Sequence, residues 1–485
     1  MRRRYGFLGI CFLTVATVAQ TGAGGPVTCA QISGWLAGGV SSSRLTQLVQ
    51  QRGLAFIPDQ QTTAALHDAG AGDQLLASFR SDRVHRGASK SACPADLATA
   101  ARLVHQKQYA AAEKVLRTAL RTDPAEAAAH FALGNVLVHE ADWDEALEHF
   151  TESARLMPSF PETHSRLSSL FHRSGDPDNA LAEARTALSI DPNNAEAYKA
   201  LGLALADTGQ YEASIHAFQE SLARVPDDPE VYDTMGSTLR DQGNLPAAET
   251  AYRRALQEDP QYWQAHNNLG LTLQEQHKTD DALFEYLAAK RLAPDDLAVR
   301  SNLGSAYCDA GNYDSAIAEY GDLFRTNPDW PTGHSCLAKA FLAKHQYEAA
   351  IAELRLAVKH NPTSAADHRV LGQALLLSQQ NDEALRELRI AVALNPDNAL
   401  AHHYLAMALG NMQKYELALN EHRQALRLEP SAGNHYFMAV CLIDMNRFDE
   451  ALTELETAAR MDPAQSLYRA RQDELLKVIR TSESR

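Results

Sequence analysis

The stretch PNNAEAYKALGLALADTGQYEASIHAFQESLARVP, residues 192–226, decides the fold. It begins and ends on a proline, and this proline recurs every 34 residues through most of the chain. The series consists of Pro124, Pro158, Pro192, Pro226, Pro260, Pro294, Pro328, Pro362, Pro396 and Pro430, then Pro463 after one step of 33 residues. A fixed period of this length indicates an array of helix–turn–helix repeats that stack on one another.

A second series of small residues follows the same period, about ten positions after each proline. Its members are Gly134, Ser168, Gly202, Gly236, Gly270, Gly304, Ala338, Gly372, Ala406 and Ala439. Leucines such as Leu201 and Leu205 recur at i, i+4 spacing around the small residue and predict one apolar helix face. A small side chain at such a position lets two helix axes approach closely. We therefore expect two antiparallel helices in each repeat.

The turns of the repeat agree with this prediction. Gly209, in the turn at 207–210, is suited to the left-handed conformation that ends many helices. Pro226 ends the second helix, and Asn193-Asn194 or Asp227-Asp228 supply side-chain oxygens that cap the next helix.

Residues 194–205 and 211–218 resemble the first and second helices of the tetratricopeptide repeat family, and the resemblance covers residues 93–465. It implies an all-α solenoid, a right-handed superhelix of helix–turn–helix units. In that family the first helices line a concave groove that presents peptides or partner domains and does no chemistry.

The chain divides into four predicted segments. Residues 1–25 resemble a secretory signal, since three arginines precede an apolar run at 5–19 and small residues follow. Residues 26–92 form a small helical module, residues 93–463 form eleven repeats, and residues 464–485 form a capping helix and tail. We expect a periplasmic or secreted protein, with an uncleaved N-terminal membrane anchor as the alternative.

Within the module, residues 41–51, 59–69 and 72–81 are predicted helices, each bounded by glycine or proline. In the capping helix at 464–480, Leu467, Leu475, Leu476 and Ile479 are expected to face inward. Such a helix covers the apolar face of the last repeat, as the ends of solenoids require.

The charge of the repeats argues against a nucleic-acid partner. The net charge is −16 in total and −21 over residues 93–485. Affinity for phosphate backbones comes from a basic surface, which these residues lack. A solvated acidic outer face is the simplest interpretation.

Removal of the leader would leave five cysteines, an odd number. Cys29 and Cys93 bracket the module and are the pair placed to form a disulfide in an oxidising compartment. Cys308, Cys336 and Cys441 fall inside predicted helices, where we interpret them as small buried hydrophobic residues.

Seven histidines share the fourth position of their repeats: His130, His164, His266, His334, His368, His402 and His435. Equivalent residues on stacked helices lie roughly 8 to 10 Å apart, whereas a zinc site needs ligands at about 2 Å from one point. We therefore predict no metal site, and expect these rings to fill the packing niche that Tyr198 and Tyr232 fill elsewhere.

The sequence holds no nucleophile elbow, zinc-protease motif, phosphate-binding loop or dinucleotide fingerprint. The prediction is a non-enzymatic protein with no cofactor and no small-molecule substrate. An enzymatic alternative would need activity from residues 26–92 alone.

The resemblance implies groove-lining positions 2, 5, 6, 9, 12 and 13 of each repeat. In the central repeats these positions carry Lys199, Asp233, Arg240, Gln264, Asn267, Asn268 and Asn302. Amides and charges of this kind hydrogen-bond an extended peptide, and an ordinary solvated helix surface is the alternative. Nearer the C terminus the positions carry Leu342, Leu376, Leu377 and Met407, an apolar patch that indicates an interaction site unless a shifted register buries it.

One subtype of the family clamps a partner's C-terminal carboxylate with a lysine at position 5 and an asparagine at position 9. Here Lys199 is followed by Leu203 at position 9, so the clamp is absent. The sequence predicts an exported scaffold that binds a protein or peptide partner in its groove. The alternative is an assembly or biogenesis factor for cell-envelope complexes, anchored through its N-terminal segment.

Overall fold

The computed structural model describes residues 24–89 and 93–483, which are predominantly α-helical. The chain forms two compact units, one ending at Pro260 and the other beginning at Gln261. The predicted leader at 1–25 lies outside the described residues except for its last two. Among the residues that are described, no helix has the length and hydropathy to cross a bilayer.

The module at the start of the N-terminal unit contains helices and a small sheet. Its helices are α1 Cys29–Ala37, α2 Ser42–Arg52, α3 Gln60–Asp68 and α4 Asp73–Ala77. Its strands, β1 Leu54–Phe56 and β2 Val84–Ser89, pair in parallel, with Leu54 opposite Val84. Helices α2 and α3 match the predicted ones, and α4 is shorter than the predicted 72–81.

The module is mainly helical, as predicted, and its two short strands were not anticipated from the sequence. Strand β1 has three residues, too few to show the alternation by which a strand is recognised. Its partner strand lies about 30 residues further along the chain, so only the tertiary fold brings the two together.

Helix pairs follow the module in the N-terminal unit. They are α5 Ala95–His105 with α6 Tyr109–Thr122, α7 Ala127–His139 with α8 Trp143–Leu156, α9 Pro161–Arg173 with α10 Pro177–Ile190, α11 Ala195–Asp207 with α12 Tyr211–Arg224, and α13 Pro229–Asp241 with α14 Leu245–Glu258.

The C-terminal unit continues the pattern and ends on a single helix. Its pairs are α15 Trp263–Glu275 with α16 Thr279–Leu292, α17 Leu297–Asp309 with α18 Tyr313–Thr326, α19 His334–Ala343 with α20 Tyr347–His360, α21 Ala365–Leu377 with α22 Asn381–Leu394, α23 Ala399–Asn411 with α24 Tyr415–Leu428, and α25 Ala432–Asp444 with α26 Phe448–Met461, followed by α27 Ser466–Glu483.

The predicted caps and turns are present. Asn194 accepts a hydrogen bond from the backbone N–H of Ala197 at 3.0 Å, which caps the start of α11. Gly209, after the end of α11, has φ +72°, the left-handed conformation expected for it. These local signals fix the lengths of the helices before any packing is considered.

The small-residue series works as predicted. A Cβ built on Gly202 would lie 2.5 Å from the ring of Phe218, and one on Gly236 would lie 2.7 Å from the ring of Tyr252. Both rings are fully buried. A glycine on the first helix therefore allows an aromatic ring of the second helix to lie against its backbone.

Helix α27 packs against α26 and buries Leu475, as expected for a capping helix. Leu467, predicted to face inward, is instead 48% exposed. The neighbouring Tyr468 is buried in its place, with its ring 5.4 Å from that of Tyr436. The larger aromatic residue takes the contact with the last repeat, which turns Leu467 outward.

Candidate partner-binding surfaces

In the N-terminal unit, part of the predicted groove is covered by the chain itself. Helix α1 packs against the first helices α5 and α7. Ala128, Phe131 and Asn135 of α7 occupy groove positions 2, 5 and 9, and all three are buried. The module is therefore attached to the groove face of the first repeats, which the sequence pattern did not indicate.

The contacts between α1 and the repeats are close and specific. A Cβ on Gly34 would lie 2.6 Å from Cβ of Ala128, so the two helices cross where both have small residues. Trp35 is fully buried and stacks on Phe160 with ring centroids 4.3 Å apart. Asn135 donates its side-chain amide to the carbonyl O of Ala37 at 3.1 Å. First helices of this chain thus accept a helical segment on their groove face.

The charged groove candidates of the N-terminal unit are engaged with neighbouring residues. Lys199 is buried and its Nζ lies 3.0 Å from Glu230 and 3.3 Å from Glu196. Burial by itself would lower the pKa of Lys199, but the surrounding carboxylates outweigh it and raise the pKa above its ordinary value. Asp233 is buried, and Arg240 is part-buried with its nearest ion-pair oxygen on Asp241 at 3.9 Å. Lys199 therefore acts as a link between α11 and α13.

The amide candidates belong to the C-terminal unit, where two of them bond each other. Asn302 donates to the side-chain oxygen of Asn267 at 2.9 Å, which joins α17 to α15. Asn267 is buried, while Gln264 and Asn268 are part-buried. Part of the hydrogen-bonding capacity predicted for a peptide is therefore used between neighbouring repeats.

The apolar candidates lie on α19, α21 and α23 of the same unit. Leu342 and Leu376 are part-buried against the core, as the shifted-register alternative anticipated. Met407 is part-buried, whereas Leu377 is 48% and Leu400 is 49% exposed. Leu377 is thus the residue of the predicted patch that is exposed, and Leu400, on the next first helix, is an exposed leucine outside that prediction.

An aromatic cluster lies on α25 and on α23, the helix that carries Leu400, and sequence reasoning missed it. The ring of Phe437 lies 4.8 Å from that of His403 and 5.3 Å from that of Tyr436. Tyr404 lies beside His403, with centroids 5.3 Å apart. All these residues occupy positions 5 and 6 of the last two repeats, so a comparison of those positions between repeats would have found them.

Two disulfides are present among the residues that the structure describes. Cys29 pairs with Cys93, as their placement predicted, and ties the start of α1 to the start of α5. Cys308 pairs with Cys336, so the interpretation of these two as buried hydrophobic residues was wrong. They stand at positions 12 and 6 of successive repeats, where α17 and α19 bring their Cα atoms to 6.1 Å. Cys441 is free and buried.

The histidine series forms a repeated polar contact between the helices of each pair. In six of the seven cases Nδ1 lies 2.5 to 2.8 Å from a glutamate oxygen of the second helix, 19 residues later. In the seventh, His130 faces His149 instead. The rings occupy the packing position predicted for them, but the glutamate partner was not predicted. The sequence did contain this pattern, because repeats that have Tyr198 or Tyr232 in place of the histidine have Ala217 or Ala251 in place of the glutamate.

Family models match the chain over most of its length. The model of the TPR domain of cytochrome c-type biogenesis protein H matches residues 98–232. The tetratricopeptide repeat model matches 234–297, 270–333, 301–365 and 335–399, and the model of anaphase-promoting complex subunit 3 matches 388–458. No curated protein sequence matches the chain significantly.

Solved structures with similar folds include a tetratricopeptide repeat protein from Parabacteroides merdae, with 18% identity, 51% of this chain and 98% of that chain covered, and a TM-score of 0.38. The APC/C Cut9–Hcn1 hetero-tetramer is 15% identical, with 83% and 90% covered and a TM-score of 0.42. YrrB, a TPR protein with an unusual peptide-binding site, is 17% identical, with 39% and 97% covered and a TM-score of 0.35. From its matched repeats and its stacked helix pairs, the chain belongs to the tetratricopeptide repeat family.

Proposed function

We propose that this protein is an exported, non-enzymatic scaffold that binds a protein or peptide partner on the groove face of its first helices. The observation that carries the proposal is the docking of α1 on α5 and α7. It is an intramolecular example of the helix-in-groove binding by which many repeat surfaces hold their partners. A stacked array is already ordered, so little conformational entropy is lost when it binds.

In the C-terminal unit, the surface that we propose for a partner comprises the exposed leucines of α21 and α23 and the aromatic cluster of α23 and α25. Leu377 and Leu400 are each about half exposed, while Tyr404, Tyr436 and Phe437 are part-buried. Large exposed apolar side chains in a cluster mark interaction sites, and aromatic residues dominate the binding energy of such interfaces.

The test is affinity capture with the full chain, its disulfides intact, from extracts of the source cells. The double variant Leu377→Asp/Leu400→Asp is expected to lose the specific partner while its helical circular dichroism stays unchanged. Leu394→Asp is the matched control, because Leu394 is a similarly exposed leucine on a second helix, α22. Equal capture by the two variants would contradict binding at this surface.

Export is supported by the leader-like residues 1–25 and by the two disulfides, since disulfides persist in oxidising compartments. Fractionation and the intact mass of the mature protein test it. A soluble species that begins near residue 20 to 26 is expected, and a reduced protein in the cytoplasm would contradict the proposal.

The second candidate is a membrane-anchored assembly or biogenesis factor for cell-envelope complexes. The match of residues 98–232 to the TPR domain of a cytochrome c-type biogenesis protein favours it. This candidate predicts an intact N terminus that starts at Met1, and a protein that stays with the membrane fraction after washes with high salt.

A further inference from the structure

Helix α16 of the C-terminal unit carries two large apolar side chains on its solvent-exposed side. Phe284 is 65% exposed, the most of any large apolar side chain that the structure describes, and Leu287, one turn later, is 41% exposed. We propose that this side of α16 binds the same side of α16 in a second copy of the chain, which gives a two-fold symmetric dimer. The inference goes beyond the proposed function, which concerns the first helices.

The repeat itself does not require an apolar residue at either position. In place of Leu287, most second helices of the other repeats have arginine: Arg185, Arg253, Arg355, Arg389 and Arg423. In place of Phe284, they have charged, polar or small residues: Glu148, Ala182, His216, Thr250, Ala318, Ala352, Arg386, Asn420 and Thr453. The two apolar side chains of α16 therefore add nothing that the other repeats need for packing, and a contact from outside the chain would bury them.

The exposed side of α16 has the residue spacing of a helix-pairing surface. Its four exposed residues follow one another at steps of four, three and four positions: Asp280, Phe284, Leu287 and Arg291. This is the spacing by which two helices pack along their length. The order is acidic, apolar, apolar, basic, so the reversed order places each residue opposite one of complementary chemistry.

Charge determines the relative direction of the two helices. In an antiparallel pair, with the two-fold axis between residues 285 and 286, Phe284 of one copy faces Leu287 of the second copy. Asp280 then faces Arg291 at both ends of the contact. A parallel pair would instead place identical charges opposite each other, which is unfavourable. Neither Asp280 nor Arg291 forms an ion pair among the residues that the structure describes, so both are available to a second copy.

The neighbouring second helix, α18, leaves room for the second copy. Lys290 of α16 forms an ion pair with Glu319 of α18, so the two helices lie side by side. At the position of Leu287, α18 has the exposed Gly321, and a Cβ built there would meet nothing within 4 Å. Glycine in the interior of a helix costs stability relative to alanine. The close approach of a second helix accounts for a glycine at this place.

The size of the contact predicts a reversible dimer. Helix α16 has 14 residues and is about 21 Å long. One such helix from each copy buries less than the roughly 1,600 Å² of a standard interface, which is typical of weak and transient complexes. The dimer presents two partner-binding surfaces, so it binds a divalent partner more tightly than a single copy does.

The test is sedimentation velocity of the full-length, disulfide-bonded protein at concentrations from about 1 to 200 µM. We expect a monomer–dimer equilibrium within this range. The variant Phe284→Thr/Leu287→Arg should weaken dimerisation by about tenfold or more, because it removes both apolar anchors. It is expected to fold normally, since Thr250 and Arg253 occupy the same positions in α14.

Ile390→Arg is the matched control for this variant. Ile390 is 40% exposed on another second helix of the same unit, α22, and Arg254 occupies its position in α14. The control adds a similar charge at a similarly exposed apolar residue that lies outside the proposed contact. Its dimerisation constant should stay within about twofold of that of the unchanged protein.

A charge exchange tests the antiparallel arrangement. Asp280→Arg and Arg291→Asp each place like charges opposite each other at both ends of the contact, and each should weaken dimerisation by about fivefold or more. In an equimolar mixture of the two variants, opposite charges face each other again at both ends. The mixture should therefore associate about as tightly as the unchanged protein.

Four results would overturn the proposal: a monomer at every concentration, unchanged dimerisation of Phe284→Thr/Leu287→Arg, an equal loss in Ile390→Arg, or no gain when the two charge variants are mixed. These measurements contain no partner. Their outcome is therefore separate from that of partner capture at Leu377 and Leu400.

Discussion

Nδ1 of His368 lies 2.6 Å from Oε2 of Glu387, and this hydrogen bond joins α21 to α22 within a single repeat. The other ring nitrogen, Nε2, lies 3.1 Å from the carbonyl O of Pro362, in the turn before α21. The histidine thus connects the turn, the first helix and the second helix. The same contact recurs in both units, which makes it a repeated element of the fold.

We predict that Glu387→Ala destabilises the protein by about 1 to 3 kcal/mol, because it leaves the buried His368 ring without its acceptor. The repeats with Tyr198 and Ala217 show the alternative solution for this niche. The double variant His368→Tyr/Glu387→Ala should therefore regain most of the loss. Urea unfolding of the two single variants and the double variant measures this coupling. If the losses in the free energy of unfolding were additive, His368 and Glu387 would not be a coupled pair.

The glycine of the small-residue series is predicted to be irreplaceable where it faces an aromatic ring. Gly202→Ala would place a methyl group 2.5 Å from the Phe218 ring and should cost about 1 to 3 kcal/mol in the free energy of unfolding. Gly410→Ala is the control, since nothing lies within 4 Å of its added Cβ. Thermal unfolding of both variants tests this prediction. Equal unfolding midpoints would contradict it, because they would mean that the Phe218 ring moves aside without cost.

Removal of the Cys308–Cys336 disulfide is predicted to destabilise the C-terminal unit. The bond closes a loop of 28 residues, so Cys308→Ala/Cys336→Ala should lose about 3 kcal/mol under oxidising conditions. With reductant present, which also breaks Cys29–Cys93 in both proteins, the unfolding midpoint of the unchanged protein should come close to that of the variant. Cys441→Ala, which removes the free buried thiol, should leave the response to reductant unchanged.

The C-terminal unit is predicted to lose stability in acid through His422. Burial, and then the nearby His403, lower the pKa of His422 to about 3 from 6.5. The unfolded chain therefore binds more protons below pH 6.5, and stability falls as the pH falls, by about 2 kcal/mol at pH 5.

His422→Leu should remove this part of the pH dependence. Leu388 and Leu455 fill the same position in neighbouring repeats, so leucine fits the site. Unfolding of variant and unchanged protein at pH 5 and 7 tests the prediction. A difference between the two proteins that does not vary with pH would contradict it.

Much of this fold could be predicted from local pattern because each repeat is a local structure. The 34-residue series fixed the helix pairs, and Asn194 and Gly209 fixed where helices begin and end. Family membership followed from the same residues. The partner-binding residues named from repeat positions remain predictions, and the structure adds that several of them, such as Lys199 and Asn267, already contact neighbouring repeats.

The sequence by itself determined the repeat, because caps, turns and small residues act within about 34 positions of one another. The tertiary structure alone decided the contacts between distant segments: α1 on the groove face and Cys308 beside Cys336. Such contacts depend on how helices pack against non-neighbouring segments, and a periodic pattern is the same for every repeat whether or not another segment covers it.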